Sequence, residues 1–419
     1  MAYGPARTFI ILGALVGGVA IGAALAVSGH AVGAGPGGTT ALNLVVAVAE
    51  PVGAVWLNGL RMTIVPLVFA LIFTGIASAA GQVAAGGAAA RAMLWFAGLL
   101  LAGATYAVLA APALLDVWPV ARSAAAALVG HAPAPTAAFP PISEWLLSFV
   151  PTNPVAAAAN GAMVPIVVFA VVFGFAATRI PAAATAALTG LFDAVVQAML
   201  VIVEWVLWLA PAGVFALSLV VGSRLGVGAF GVLGQYIAVV CIVEAGLIAL
   251  IYLLAVFVAR VPLGRFARAV APAQLVAIST QSSVGTLPAM IEAADGLDLP
   301  QSSVRLVLPL AVSLFRITSP AANLAVVVYV AALHGLPLGG VQLAIGVLVA
   351  VAVSLAAVGL PGQTSFVTSV GPICVAMNVP LDVLPLLLAV ETIPDIFRTL
   401  GNVTADVAVT AVVARGRSR

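Results

Sequence analysis

Lysine is missing from this 419-residue chain, so all 15 basic residues are arginines. Charge of either sign is scarce, at 7% of residues against 64% hydrophobic, and the net balance is only +2. With no basic run in it, the chain has no footprint for a nucleic acid. There are only two cysteines, Cys241 and Cys374, both in apolar stretches. Two cysteines make neither a disulfide framework nor a thiolate metal site, and these two read as buried packing residues. The three histidines, His30, His131 and His334, lie far apart near predicted loops and read as non-ligands. No nucleophile, base and orienting group fall together. Ser282 and Ser283 have no His or Lys close in sequence, which argues against an enzyme and against an intramembrane hydrolase.

What the chain has is apolar length. Mean hydropathy is +1.26, with 41 Gly and 27 Pro, and helix-length apolar runs recur from end to end. That describes a polytopic membrane protein. Only helices or a closed barrel span a bilayer, and a barrel needs short alternating strands that are not seen, so the expectation is an all-α bundle. A first span covers about 8–28, too long a run, with further spans after it, for a signal peptide. A second, about 44–79, holds Arg61 and a kinking Pro66. A third runs over about 90–114, and residues 116–144 form a Pro- and Ala-rich connection. Asn153 and Asn160 lead into a broken fourth span closed by Arg179. A fifth covers about 191–220, bent at Ala210–Phe215 (APAGVF), and a sixth about 234–257. Arg7, Arg91, Arg179, Arg260, Arg265, Arg268, Arg415, Arg417 and Arg419 would share one side, with Arg122 and Arg224 opposite. The positive-inside rule then places both termini in the cytoplasm of a multi-pass plasma (inner) membrane protein.

The last third departs from plain spans. Around Ser279, Thr280, Gln281, Ser282, Ser283, Gly285 and Thr286 a polar tip joins two apolar arms, each too short to cross, which predicts a re-entrant hairpin. A second, at 349–377, centres on Gly359, Leu360, Pro361, Gly362, Gln363, Thr364 and Ser365. Between them a span at about 306–331 is interrupted by Arg316–Pro320 (RITSP). Gly/Ser packing between helices is the plain explanation of either stretch alone. Two such stretches flanking a broken span instead point to a transport site, where helix N-termini face anions and C-termini face cations. A charged stretch then follows. Glu391, Asp395, Arg398, Asn402 and Asp406 recur at helical spacing on one face of an otherwise apolar helix. Buried ionisable groups mark substrate or ion paths, or else a self-neutralising network. The Arg398 fork suits a carboxylate, and Asp395, one turn earlier, suits an ammonium.

These residues resemble the dicarboxylate/amino acid:cation symporter family, the prokaryotic glutamate/aspartate transporter homologues, over nearly the whole chain. Arg61–Phe69 (RMTIVPLVF), VPTNP with the following NGAMVPIVVFA, APAGVF, the Ser282–Pro288 tip, Gly359–Gly362 and, most specifically, DIFRTLGNVTAD fall in family order. The resemblance implies eight transmembrane helices, two re-entrant hairpins, a homotrimer and an elevator mechanism. It divides the chain into scaffold helices 1–2 (1–89), transport helix 3 (90–114), and a loop with scaffold helices 4–5 and transport helix 6 (115–258). Hairpin 1 (259–299), broken helix 7 (300–335), hairpin 2 (336–380), and helix 8 with a cytoplasmic tail (381–419) follow. It implies that Arg398, Asp395, Thr399 and Asn402 bind substrate together with Ser282, Ser283, Thr286 and Gly362. Gly359, Pro361 and Gly362 would form the gate, and Asn402 and Asp406 would lie where Na+ binds.

One departure stands out. Phe315, Arg316, Ile317, Thr318 and Ser319 occupy the family's sodium-binding NMDGT break, and Gln281 stands where many prokaryotic members have arginine. A site that loses a carboxylate and gains a guanidinium binds sodium poorly. Arg316 would instead act as a tethered cation paired with Asp406 or Glu391, in one ion network with Asn402. The expected function is import of an acidic amino acid such as aspartate or glutamate, coupled to H+ and/or a reduced number of Na+, with no other cofactor. The alternatives are a proton- or sodium-coupled C4-dicarboxylate transporter (succinate, fumarate or malate) and a membrane solute sensor.

Overall fold

The computed structural model describes residues 5–31, 36–84, 87–121, 150–225, 228–356 and 362–415, and every regular element among them is helical. The first three helices are long: α1 (Pro5–Ala31), α2 (Pro36–Ala84) and α3 (Gly87–Val117). Helix α2 runs without interruption past Pro51 and Pro66.

The expected break in the fourth span is present. A short α4 (Pro154–Ala159) precedes α5 (Met163–Ala177). Asn153 starts α4 by accepting from the Val155 and Ala156 N–H groups at 3.0 and 3.1 Å, with Pro154 just inside the helix. Gly161, at φ +66°, ends it in a conformation glycine adopts without strain. The fifth span is likewise two helices, α6 (Ala182–Trp208) and α7 (Ala210–Leu225), parted at Leu209 beside Pro211. Helix α8 (Gly228–Phe257) is continuous.

The C-terminal part is built from paired shorter helices. α9 (Leu263–Thr280) and α10 (Ser283–Gly296) pack against each other as a helix–turn–helix. Gln281 turns the chain at φ +49°, and Ser282 caps α10 by accepting from the Gly285 N–H at 3.1 Å. At 1.5 Å per residue their 18 and 14 residues reach about 27 and about 21 Å, short of a hydrocarbon core of about 30 Å. α11 (Gln301–Leu314) and α12 (Thr318–Leu333) are the two halves of the interrupted span, parted by Phe315, Arg316 and Ile317. α13 (Gly340–Ala356) packs on α14 (Gly362–Ala376). The tip between them, with Gly359, Leu360 and Pro361, lies outside the described residues. A short α15 (Leu384–Val390) leads into α16 (Thr392–Arg415).

Six helical stretches among the described residues are long and apolar enough to cross a membrane: Leu44–Ala77, Ala89–Val117, Ala182–Trp208, Gly228–Phe257, Gln301–Leu333 and Thr392–Arg415. Four shorter apolar helices accompany them, Ile10–Leu25, Met163–Ala177, Ala210–Ser223 and Gly340–Leu355. The count differs from the implied eight because the Asn160–Gly161 break leaves α5 with only 15 residues, and because α1, though 27 residues long, is counted only over Ile10–Leu25. This is an all-α polytopic membrane protein. Large apolar side chains such as Leu94, Trp205, Trp208 and Phe257 face outward, as lipid-facing residues do.

Packing falls into two groups. α1, α2, α5, α6 and α7 pack on one another, with the Trp56 indole N–H of α2 donating to the Val206 carbonyl of α6 at 2.7 Å. α3 and α8–α12 pack around α16, while α13 and α14 lie between α12 and α2. α12 and α16 are almost wholly buried, at the centre of the second group.

Candidate functional site

Burial makes α16 the place where polar side chains must find partners inside the protein. Arg398 is 2% exposed and is held by three carboxylates. Its Nη2 lies 2.6 Å from Glu391 Oε1 and its Nη1 donates to Asp395 Oδ1 at 3.4 Å. Its Nε stands 3.9 Å from Oε1 of Glu244, on α8. The Glu391 contact is a close charge pair whose N–H direction misses a directed hydrogen bond. Glu391's other oxygen accepts from the buried Tyr236 hydroxyl at 2.8 Å. Glu391 closes α15 instead of lying within α16, yet stays stacked on the charged face because the Asp395 N–H donates to its carbonyl at 2.9 Å.

The break between α11 and α12 meets the middle of α16. The Thr318 N–H donates to Asn402 Oδ1 at 3.1 Å. The Thr318 hydroxyl lies 2.7 Å from the Arg398 carbonyl and 2.8 Å from Asn402 Oδ1, and its single proton serves one acceptor at a time. Gly401 permits this approach, since a Cβ there would overlap Thr318 Cγ2. Asp406, one turn on, is fully buried and neither carboxylate oxygen has a hydrogen-bond partner among the described residues.

The Arg316 charge lies within the field of Asp395 and Asp406 and is opposed by that of Arg398. The expected pairing with Asp406 or Glu391 is not a direct contact. Among the described residues Arg316 makes no ion pair within 4.0 Å, and its Nε and Nη1 have no hydrogen-bond partner. Glu391 is already engaged by Arg398 and Tyr236.

A cation fits this region in part. Asp406 offers two free acceptor oxygens, whereas the Asn402 carbonyl oxygen is occupied by Thr318 donors and Arg316 brings its own charge. Among the described residues no cluster of three His, Cys, Asp or Glu side chains has a metal-binding arrangement.

The α9–α10 pair is tied to this centre. Gln274 of α9 donates to Thr404 Oγ1 of α16 at 2.9 Å and to the Tyr252 hydroxyl of α8 at 3.0 Å. Thr286 is fully buried and donates to the Ser282 carbonyl at 2.8 Å; Ser283 is buried with no partner for its hydroxyl among the described residues. Among the described residues none of these side chains forms a hydrogen bond with the side chain of Arg398 or Asp395. Thr399 is buried on α16. Gly362 is the first residue of α14, and Gly359 and Pro361 lie outside the described residues.

Two members of the site escaped sequence reasoning, Glu244 and Tyr236. The signal for Glu244 existed, because it is the one charged residue in the 30-residue α8. Away from the site, at the end of α12, both nitrogens of His334 face acceptors, Nδ1 the Val330 carbonyl at 2.9 Å and Nε2 Asp382 Oδ1 at 3.1 Å.

Comparisons with known proteins agree on a single relationship. Residues 8–416 match the model of the sodium:dicarboxylate symporter family. Over 384 residues the chain is 28% identical to the "Proton/glutamate-aspartate symporter" of Escherichia coli (strain K12), covering 89% of this chain and 86% of that protein. It is 25% identical over 375 residues to the "Proton/sodium-glutamate symport protein" of Bacillus subtilis (strain 168), 87% and 85% of the two chains. It is 28% identical over 375 residues to the "C4-dicarboxylate transport protein" of Aeromonas salmonicida (strain A449), 87% and 86% of the two chains. All three are transport proteins, not enzymes. The chain belongs to the sodium:dicarboxylate symporter family.

Proposed function

We propose that this protein is a secondary active symporter that imports an acidic amino acid such as aspartate or glutamate, coupled to H+ and/or a reduced number of Na+. The observation that carries the reading is the buried Arg398–Asp395 pair on α16, a carboxylate receptor and an ammonium receptor 3.4 Å apart in an apolar setting. An incoming carboxylate takes the guanidinium face that Glu391 now holds, and its ammonium turns to Asp395. Thr399, Asn402, Ser282, Ser283, Thr286 and Gly362 complete the substrate contacts in this reading. The Gly359–Gly362 tip gates the site, and Asn402 and Asp406 form the remaining cation position. Arg316 brings one positive charge to the broken helix and so lowers the need for bound sodium.

The substrate moves by an elevator in a homotrimer of eight-helix, two-hairpin subunits. What supports this is the packing of α1, α2, α5, α6 and α7 as one group and of α3, α8–α12 and α16 as another. The Arg415 guanidinium donates to the Arg260 carbonyl at 3.0 Å, which supports one arginine-rich, cytoplasmic end. A C4-dicarboxylate transporter is the second reading, favoured by the relative of that name. Purified protein in liposomes, given labelled aspartate or succinate under an H+ gradient, a Na+ gradient or neither, tests both. Gradient-driven aspartate accumulation is expected. Succinate accumulation alone selects the second reading, and no accumulation of either overturns both.

A further inference from the structure

Glu244 has no part in the reading above, and it is the least compensated of the three acids around Arg398. It lies at the middle of α8, with 0% exposure and no hydrogen bond to either carboxylate oxygen among the described residues. Val240, Val243 and Leu247, within one turn of it on α8, are buried too. The charges acting on it are those of Arg398 and Asp395 from α16 and of Glu391 from the α15–α16 junction. On α8 itself Tyr236 and Cys241 are the neighbouring titratable groups, with Tyr329 of α12 against Tyr236 and Tyr106 of α3 against Gly246. None of these four is a hydrogen-bond donor to Glu244.

Three carboxylates thus surround one guanidinium, and their surroundings differ. Glu391 has the Tyr236 hydroxyl and the 2.6 Å Arg398 contact; Asp395 has an Arg398 hydrogen bond; Glu244 has only a 3.9 Å approach to Nε. A buried carboxylate that gains no hydrogen bond gives up its hydration without return, while the carboxylic acid gives up far less. Groups that share one partner also divide their protons between them according to these differences.

We infer that Glu244 is the proton-carrying residue of this symporter, holding a proton that its partner carboxylate Glu391 does not. The proposal rests on the transport reading for its purpose. When a substrate carboxylate takes Arg398, Glu391 and Glu244 lose their shared counter-charge, and a proton on Glu244 lowers the negative charge that must cross the bilayer. The bookkeeping is one proton added to one carboxylate oxygen on one side of the membrane and released on the other, with no other bond changed.

The test combines infrared spectroscopy with uptake, using full-length protein in liposomes. Wild type is expected to show the C=O band of a buried carboxylic acid that titrates with pH, and a several-fold stimulation of aspartate or succinate uptake by an inward proton gradient. Glu244→Gln should remove the band and bring the stimulation to about onefold. Persistence of the band in Glu244→Gln, its loss in Glu391→Gln instead, or undiminished stimulation in Glu244→Gln overturns the assignment. Should wild type move neither substrate, the transport reading fails, while the band and its response to Glu244→Gln still decide whether this residue holds a proton. Should Glu244→Gln not fold, Glu244→Asp serves, because an unshifted band in that variant equally overturns the proposal.

Discussion

Arg398→Ala removes the one cation that three buried acids share. Glu391 at 2.6 Å, Asp395 at 3.4 Å and Glu244 at 3.9 Å are all left without it, in a setting that is 0–6% exposed. Removing one partner of a buried ion pair costs about 3–5 kcal/mol of stability. Truncating one side of a buried charge pair in binding costs about 2–5 kcal/mol. At about 1.4 kcal/mol per tenfold, acidic substrates should bind about thirtyfold to several-thousandfold more weakly. Arg398→Lys keeps the charge but replaces a planar fork by a point charge that cannot face Glu391 and Asp395 side by side, so it should fall between the two. The assay is calorimetric titration of purified protein with aspartate and succinate, with thermal unfolding recorded on the same samples. Arg398→Ala combined with Glu391→Gln should recover part of the stability but none of the binding, since one of the stranded charges is gone while the receptor is still missing. Wild-type affinity for both substrates in folded Arg398→Ala would refute the reasoning.

Asp395→Asn should weaken aspartate at least tenfold more than succinate, because only aspartate brings an ammonium; equal losses in the same titration would assign Asp395 a structural or proton-relay role. Arg316→Met should steepen the sodium dependence of aspartate affinity at fixed ionic strength, since a tethered positive charge is removed beside Asp395 and Asp406; a steep dependence already present in wild type and unchanged in the variant defeats the tethered-cation idea. His334 and Asp382, outside the spans, predict a pH effect on stability. Burial pulls the His334 imidazole down, but the Asp382 and Val330 hydrogen bonds outweigh it and hold the group above its ordinary 6.5. Burial likewise pushes Asp382 up, and the His334 contact outweighs it and holds the carboxyl below its ordinary 3.8. The pair's contribution is therefore complete between about 3.8 and 6.5, fades as pH rises through the raised His334 value, and fades as pH falls through the lowered Asp382 value. Asp382 is half-exposed, so the contribution is at most about 1 kcal/mol. Thermal unfolding of wild type and His334→Gln against pH should converge at alkaline pH, and a constant difference would refute the pairing.

Sequence reasoning reached far into this fold where the signal is local. The broken fourth span is announced by Asn153, Pro154 and Gly161, residues whose own backbone preferences start and stop a helix. The polar tip before α10 is announced by its run of Ser, Thr and Gly, and the polar face of α16 by its spacing along one helix. What stayed illegible depends on contacts between helices. Glu244 is a single acid with no periodic companion, and its meaning appears only when α8 packs on α16. Arg316 stood out against the family motif, but spacing could not reveal that its side chain reaches the field of two aspartates without touching either. Burial adds a constraint that no motif carries. Around α16 four acids, Glu244, Glu391, Asp395 and Asp406, are buried with Arg398, and the half-buried Arg316 is the second cation acting there. Fully ionised, that centre is short of two positive charges before any substrate arrives. An acidic amino acid adds two carboxylates and one ammonium, which deepens the deficit. A unit so charged crosses hydrocarbon only at high cost. In the proposed transport cycle, protons or sodium ions taken up with the substrate would reduce that cost, and without them the loaded unit would stay where it is. The coupling proposed for this chain would then follow from how few cations it places beside its buried acids.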